Sequence, residues 1–480
     1  MLFNSFGFLL AFLPLTLAGF VAASRRGPDA AVGWLIVSSL AFYFYANPAF
    51  LAVLVASLIV NGGLGWAIRA TEANPGAQRL ILVLGIAVNL AAMAACRSLP
   101  TGPLGISFIT FTQIGFLLDQ RGAEPGMRSA LGYCLLVVFF PHLAAGPILR
   151  VRDVMGQFVA RTTWRLSGDN FAAGSALFLI GLLKKTLLAE PLAAIVSPGF
   201  TDPSALSLWP AWQTALAWSF QLYFDFSGYS DMATGLARMF GVRFPYNFAS
   251  PYKSQSVIEY WQRWHMTLTQ FLMSTVYNPL AMAVLRWRRA HGWPTDRAAQ
   301  RSPGGFCAML LAPIGITMGL AGVWHGANPA FLLFGLLHAG FLGVNHAWRL
   351  CCPGIRSGAW HAVLGRVTLT YLCVLAGAVV FRAPTLGTAG ALLSGMIGLH
   401  GLPTTLIPMG GDAHDMMNML WLAGLAAIVW GMPNSQQIVD QHDTWLRWRP
   451  TLPWAAAAGC GASLGLLSLG GTGEFVYFQF

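Results

Sequence analysis

Two histidines have surroundings that suit acid–base chemistry. His325 follows an uncharged run of 19 residues, 305–323, and His265 lies within the stretch 225–303, in which polar and aromatic residues are interleaved. An imidazole with an ordinary pKa of about 6.5 can accept a proton near neutrality, and an ionisable group inside a membrane is costly and usually functional. We therefore predict that His325 and His265 are catalytic, whereas in a soluble core each would more often be a packing residue.

A third candidate cluster lies in Phe224-Asp-Phe-Ser-Gly-Tyr-Ser-Asp231, where two acids flank a glycine at the end of an apolar run. A carboxylate pair could do acid–base work, but Asp and Ser equally often bond to backbone donors at a helix break. Both interpretations stay open for this cluster. The candidates for lining a substrate channel are Asp225, Ser227, Trp261, Trp264, Trp324 and Asn328.

Other reactive patterns are missing from the sequence. It contains no HExxH motif, no Gly-Lys pair for a phosphate-binding loop and no CxxC among its 7 cysteines. The GxSxG match at 461–465 has no Asp or His after it, so it cannot supply a hydrolase triad. We therefore expect neither a metal site nor a permanently bound cofactor.

The composition indicates a membrane protein. Of 480 residues, 56% are hydrophobic and 9% are charged, whereas a soluble domain has about 25% charged residues. The net charge of +11 comes from short Lys and Arg clusters between apolar runs, which is typical of cytoplasmic loops and does not indicate nucleic acid. The sequence thus predicts one all-α polytopic membrane domain over 1–480, because apolar runs recur without a polar domain between them.

A span requires about 20 mainly apolar residues. The first run lacks the positive leading region of a signal peptide, so we expect it to be retained. Prolines interrupt several runs, so the expected total is about 11 to 13 spanning and re-entrant helices. The candidate runs are 5–24, 30–46, 48–68, 80–96, 104–118, 129–149, 171–198, 206–224, 305–323, 329–348, 363–383, 416–432 and 451–470.

Local patterns add three structural predictions. Ser256 and Glu259 have capping-box spacing, which predicts a helix over 257–275 with Trp261 and His265 on one face. The runs 305–323 and 329–348 lie between Arg-rich segments, so they should form a hairpin with His325 at its tip, toward the outside or within the membrane. The pair at 184–185 ends an apolar stretch and should extend toward the cytoplasmic surface.

With these residues in view, the chain resembles the alginate O-acetylation branch of the membrane-bound O-acyltransferase superfamily over nearly its whole length. The resemblance implies a ring of helices around a thin core at about 100–350, with a tunnel between the two faces. It also implies that His325 is the catalytic histidine and His265 the second active-site histidine. The matching segments are FFPHLAAGPILR (139–150), GLLKK (181–185), FDFSGYSDMATGLARMFG (224–241), PYKSQSVIEYWQRWH (251–265) and GVWHGANPAFLLFGLLH (322–338), supported by the opening MLFNSF and the terminal FVYFQF.

The chain also departs from this branch close to the second histidine. Gln262 replaces an arginine, Met273 and Ser274 replace an arginine-aspartate pair, and an Arg-rich loop follows Ala281 and Met282 in place of glycines. These departures bear on the identity of the acceptor or partner protein, and the reaction itself is expected to be retained.

The resemblance implies acetyl transfer from a cytoplasmic thioester such as acetyl-CoA, across the bacterial inner membrane, for O-acetylation of an exported polysaccharide such as alginate. His325 would accept the hydroxyl proton, and His265 would orient the acyl group or donate to the oxyanion. The expected partners are membrane lipid, extracytoplasmic acetyl-transferring proteins and the polysaccharide. The alternatives are a transporter or flippase, a non-catalytic export scaffold, or acylation of cellulose, peptidoglycan or another cell-envelope polymer.

Overall fold

A computed structural model of the protein describes residues 2–99, 102–122, 129–352, 358–402, 413–441 and 444–469. These residues form helices and connecting turns, with no strand in the described ranges. Eight helices are long and apolar enough to cross a membrane: Pro28–Ala46, Pro48–Ala70, Pro75–Arg97, Gly168–Thr201, Met266–Ala290, Pro303–His325, Pro329–Cys351 and Trp360–Arg382. The prediction of an all-α polytopic membrane protein is therefore confirmed.

The described residues contain further α-helices besides these eight. Five are apolar, namely Phe8–Ser24, Ile106–Asp119, Leu386–Met396, Met416–Gly431 and Leu452–Leu467. The others are Ala130–Val138, Phe140–Leu143, Val151–Val159, Leu208–Met239, Val257–Trp261 and Arg297–Arg301. One span had no predicted counterpart: Met266–Ala290 crosses a region for which the sequence analysis proposed none.

The proline-interrupted run at 129–149 is broken as predicted. Ala130–Val138 ends at Phe139, and a single turn, Phe140–Leu143, follows. A break within a membrane leaves backbone donors that protein must satisfy. Here the Ser39 hydroxyl accepts the Phe140 N–H at 3.1 Å, so a neighbouring helix supplies the missing partner.

The predicted break at 224–231 is wrong, because Leu208–Met239 is one helix of 32 residues. Its glycine is a packing site: a Cβ on Gly228 would lie 2.7 Å from the Gly181 carbonyl oxygen, and one on Gly181 would lie 2.4 Å from the Gly228 oxygen. Small residues let helix backbones approach closely in membranes. The glycine therefore serves helix–helix contact and does not interrupt the helix.

The described chain divides into two compact units built from segments that are distant in sequence. The first unit comprises Met1–Thr186, Ser227–Tyr246 and Ser435–Thr472. The second comprises the described residues of Leu187–Phe226 and Asn247–Asn434.

A buried ion pair holds the first unit together. The Lys184 ammonium lies 2.6 Å from Asp231 Oδ2, and the Ser435 hydroxyl donates to Asp231 Oδ1 at 2.8 Å. Lys185 is 1% exposed. The expectation that both lysines extend to the surface is therefore wrong, because a carboxylate from a different helix binds the first and the second is buried.

The second unit contains the predicted hairpin. An added Cβ on Gly322 would lie 2.2 Å from the Phe331 carbonyl oxygen, and one on Gly335 would lie 2.2 Å from the Met318 oxygen. The two helices thus touch through their backbones, and only residues 326–328 connect them. The hairpin is confirmed, and the side of the membrane at which its tip lies stays a prediction.

We expect the Lys184 and Asp231 ion pair to contribute strongly to stability. Lys184→Met or Asp231→Leu alone should lower the free energy of unfolding by about 3–5 kcal/mol, because each leaves a buried charge without this partner. The double variant should recover much of that loss. Denaturant unfolding in detergent micelles, followed by tryptophan fluorescence, measures the difference. Additive losses in the double variant would contradict the coupling.

Candidate active site

A narrow cavity inside the second unit brings the two predicted histidines together. Its walls include His265, His325 and a third histidine, His338. The cavity encloses about 40 Å³, which is room for roughly three water molecules. Acidic side chains do not line it among the described residues. The polar groups that line this space are therefore imidazoles, phenols and indoles, and the rest of the lining is aliphatic and phenylalanine side chains.

His265 lies at a break between two helices. The predicted helix over 257–275 is wrong: Val257–Trp261 ends before His265, and a new helix begins at Met266. His265 itself has a left-handed backbone, with φ of 43°. Ser256 does cap the first helix, accepting the Glu259 N–H at 3.2 Å.

The break has a backbone cause. The Ala249 N–H donates to the Arg263 carbonyl and the Met266 N–H donates to the Asn247 carbonyl, both at 3.0 Å. These bonds use groups that a continuous helix would have used itself. The preceding segment at 247–249 therefore competes with the helix for these backbone groups, and His265 lines the cavity.

Asn247 fixes the proton position on His265. Asn247 Oδ1 accepts the Thr267 N–H at 3.3 Å and the Thr267 hydroxyl at 2.6 Å, which identifies this atom as the amide oxygen. The same oxygen lies 3.3 Å from His265 Nδ1. Because an oxygen accepts, Nδ1 carries the proton and Nε2 is the basic nitrogen of the neutral ring.

His325 ends the helix Ala312–His325 and is buried. Its ring packs edge-on against Phe381, with centroids 4.8 Å apart, and lies 4.4 Å from the ring of Trp324. Asn328 secures the turn beyond it: Oδ1 accepts the Ala330 N–H and Nδ2 donates to the Pro384 carbonyl, each at 2.9 Å. The turn thus anchors the histidine to the following hairpin helix and to the end of Trp360–Arg382.

The sequence analysis did not select His338 as a site residue. It is 1% exposed, and its Nδ1 accepts the indole N–H of Trp261 at 3.3 Å. A Cβ on Gly377 would lie 2.5 Å from His338 Nε2, so that position needs glycine. The sequence did offer a signal, because His338 lies in the predicted run 329–348 and in the segment 322–338 that resembles the family.

Stacked aromatic rings form one wall of the cavity. The Trp264 ring is nearly parallel to those of Tyr252 and Tyr260, at interplanar angles of 14° and 17°. Burial raises the pKa of both phenols well above the ordinary value, so they stay protonated. The Tyr252 hydroxyl donates to the Ser219 carbonyl at 2.8 Å, which fixes its ring in place.

Two of the six residues predicted to line a substrate channel line this cavity, and four do not. Trp261 and Trp264 line the cavity, whereas Asp225, Trp324 and Asn328 do not. Asp225 is buried in the long helix, next to Phe226, whose ring packs edge-on against His265 with centroids 4.7 Å apart. Ser227 is buried, belongs to the first unit and is not a lining residue.

The histidines do not form a metal centre in the part of the chain that the structure describes. No three His, Cys, Asp or Glu side chains there are close enough together to bind an ion. The arrangement suits proton transfer in a desolvated space, where a neutral imidazole accepts a proton from a hydroxyl. An apolar wall around that point also strengthens each electrostatic contact.

The fold is that of a multi-pass membrane protein, and one cavity within it brings His265 and His325 together. Residues 107–290 match MBOAT, the membrane-bound O-acyltransferase family. The chain is 31% identical to the peptidoglycan O-acetyltransferase of Helicobacter pylori, over 87% of this chain and 83% of the relative. It therefore belongs to the membrane-bound O-acyltransferase family, and it is an O-acyltransferase.

Two further relatives carry other names. A probable alginate O-acetylase of Azotobacter vinelandii is 34% identical over 82% of this chain and 78% of its own length. A teichoic acid D-alanyltransferase of Bacillus subtilis is 26% identical over 58% of this chain and 68% of its own length. The resemblance to the alginate branch is confirmed, and the relatives' names cover three different envelope polymers.

We expect Asn247 to act by positioning His265. Asn247→Leu should reduce the acyl-transfer rate about 10- to 100-fold, the range for losing a residue that orients a functional histidine. Thr267→Val removes only the hydroxyl bond to Asn247 and should cost less. Single-turnover transfer by purified, folded protein gives both values. Equal rates in Asn247→Leu and wild type would contradict the assignment.

His338 should be required as a hydrogen-bond acceptor. His338→Leu leaves the Trp261 indole N–H unpaired, which costs about 1–3 kcal/mol in a buried site. His338→Asn retains an acceptor near the position of Nδ1 and should keep more stability and activity. Thermal unfolding and transfer rates, combined with Trp261→Phe in a double-mutant cycle, test the bond. Strict additivity would show that the two side chains are not coupled.

Proposed function

We propose that this protein takes an acetyl group from a cytoplasmic thioester such as acetyl-CoA and passes it across the bacterial inner membrane for O-acetylation of an exported polysaccharide. The proposal rests on the observation that His265 and His325 line one cavity of a multi-pass membrane protein. The names of the Azotobacter and Helicobacter relatives, an alginate O-acetylase and a peptidoglycan O-acetyltransferase, support acetyl as the group transferred.

In the proposed reaction His325 is the general base. It removes the proton from the acceptor hydroxyl while the hydroxyl oxygen attacks the thioester carbonyl carbon. The resulting tetrahedral intermediate collapses, the carbon–sulfur bond breaks, and the imidazolium returns the proton to the departing thiolate. The products are an ester and a free thiol, and the histidine ends in its starting state.

The tautomer of His265 supports only one of its two expected roles. Because Asn247 accepts the Nδ1 proton, neutral His265 presents an acceptor at Nε2 and has no second N–H for an oxyanion. We infer that neutral His265 orients the acyl group, and that the single proton of the acceptor hydroxyl goes to His325. A protonated His265 would be needed for the oxyanion role.

We further propose that a separate extracytoplasmic protein completes the transfer. The second unit's cavity holds only a few water molecules, which is too small for a polysaccharide chain. A small carrier group or a protein side chain is a better immediate acceptor than the polymer. Alginate is the preferred polymer on sequence resemblance, and peptidoglycan is the alternative that the Helicobacter relative supports.

The test follows radiolabel from acetyl-CoA in vesicles that contain wild type or His325→Ala, with crude exported polysaccharide and extracytoplasmic extract. His325→Ala should lose about 10²- to 10⁴-fold in rate, the usual contribution of a positioned base. The matched control is His361→Ala, since His361 is an exposed histidine outside the cavity.

Each outcome of this assay decides between hypotheses. Wild-type turnover in folded His325→Ala would overturn the assignment of the base. Loss of polymer transport without loss of acyl transfer would support the transporter alternative, and an effect on neither would support a scaffold. Label found first on an extracytoplasmic protein would identify the acceptor.

A further inference from the structure

The loop at 286–301, called the basic loop below, carries a concentration of positive charge in the second unit. It contains 5 arginines and 1 aspartate. It begins in the last turns of Met266–Ala290 and includes the helix Arg297–Arg301, and Gly292, with φ of 69°, reverses the chain between them. Four of the arginines are exposed: Arg286, Arg289, Arg297 and Arg301.

The basic loop has a defined conformation. Arg288 is buried and donates from Nε and Nη2 to the Pro294 carbonyl, at 3.2 and 2.9 Å. Its guanidinium lies 5.1 Å from the centroid of the Trp293 ring, which packs edge-on against Trp287. Arg288 thus stabilises the turn from inside, and the turn sets the positions of the exposed arginines.

The exposed arginines have no carboxylate partner in the described ranges. Asp296 is the acid in the loop, and its Oδ1 accepts the Ala299 N–H at 3.0 Å as a helix cap. Arg289 Nε lies 3.4 Å from the Thr295 hydroxyl, which holds it beside the start of the second helix. Arginines from both helices therefore border the same turn, with a net positive charge.

Two exposed tryptophans indicate the depth at which the basic loop lies in the membrane. Trp287 is 51% and Trp293 is 52% exposed, and their rings pack against each other. Trp is enriched at the level of lipid headgroups, where one end is apolar and the other wet. Trp287 is in the candidate span Met266–Ala290, so the arginines lie at the boundary of the hydrocarbon region.

The basic loop is remote from the acyl-transfer centre. The helix Pro303–His325 has 23 residues, and at 1.5 Å per residue this separates its two ends by roughly 34 Å. His325 is at one end and the basic loop precedes the other. An anion bound by these arginines is thus not the group that reacts at His325.

We propose that the basic loop binds the phosphate of an anionic phospholipid, with the exposed arginines on the headgroup and the two tryptophans in the interfacial layer. Clusters of 4–8 basic residues next to a membrane span recognise anionic lipids in this way, and arginine suits phosphate because its fork of donors matches the oxygens. The proposal does not depend on the acetyl-transfer mechanism.

The experiment compares purified full-length wild type with Arg286→Gln/Arg289→Gln/Arg297→Gln/Arg301→Gln. Native mass spectrometry and thermal unfolding are recorded in neutral detergent with phosphatidylglycerol, phosphatidylcholine, inorganic phosphate or coenzyme A. The matched control, Arg25→Gln/Arg26→Gln/Arg165→Gln/Arg449→Gln, removes the same charge from other exposed positions.

We expect phosphatidylglycerol to bind wild type and the control at least tenfold more tightly than the loop variant, and to raise their unfolding temperature more. The difference should shrink as salt is increased. Equal binding by all three proteins would overturn the proposal and leave the arginines as topology determinants. Coenzyme A or inorganic phosphate competing as strongly as the lipid would also overturn it, because the site would then serve a soluble phosphate ligand.

Discussion

The backbone pairing between 247–249 and 263–266 is the constraint on which the site depends. A non-glycine residue in the left-handed region costs of order 1–3 kcal/mol, and His265 is held there by bonds on both sides. Asn247 contributes twice, since its carbonyl binds the Met266 N–H and its side chain faces Nδ1 of His265. One short segment therefore sets the backbone, the ring orientation and the tautomer of this histidine.

Close helix contacts supply the second half of the cavity. Gly322 and Gly335 allow the hairpin helices to touch, and Gly377 leaves space for the His338 ring. These contacts bring His325 and His338 to the same space although they lie 13 positions apart on different helices. Larger residues at these glycines would push the helices apart and change the positions of the histidines that line the cavity.

Membership of the acyltransferase family and the details of this chain explain different properties. His265 lies within residues 107–290, which match the family, and His325 lies beyond that stretch. The basic loop follows the positions at which the chain departs from the alginate branch, and it lies at the far end of the helix that carries His325. The proposed acyl-transfer site and the proposed lipid-binding loop thus lie at separate places in the second unit.

The sequence by itself determined the membrane class, most of the spans, the hairpin at His325 and the two histidines, because hydropathy and charge act locally along the chain. Prediction from the sequence failed where contacts with a distant segment changed the local structure. Backbone bonds to 247–249 interrupt the predicted helix at His265. Asp231 binds Lys184, which was expected to reach the surface. Gly228, expected at a helix break, instead packs against Gly181 of another helix. His338 was missed for the same reason. Its partner Trp261 lies 77 positions away, and only tertiary packing decides which imidazole an indole N–H reaches.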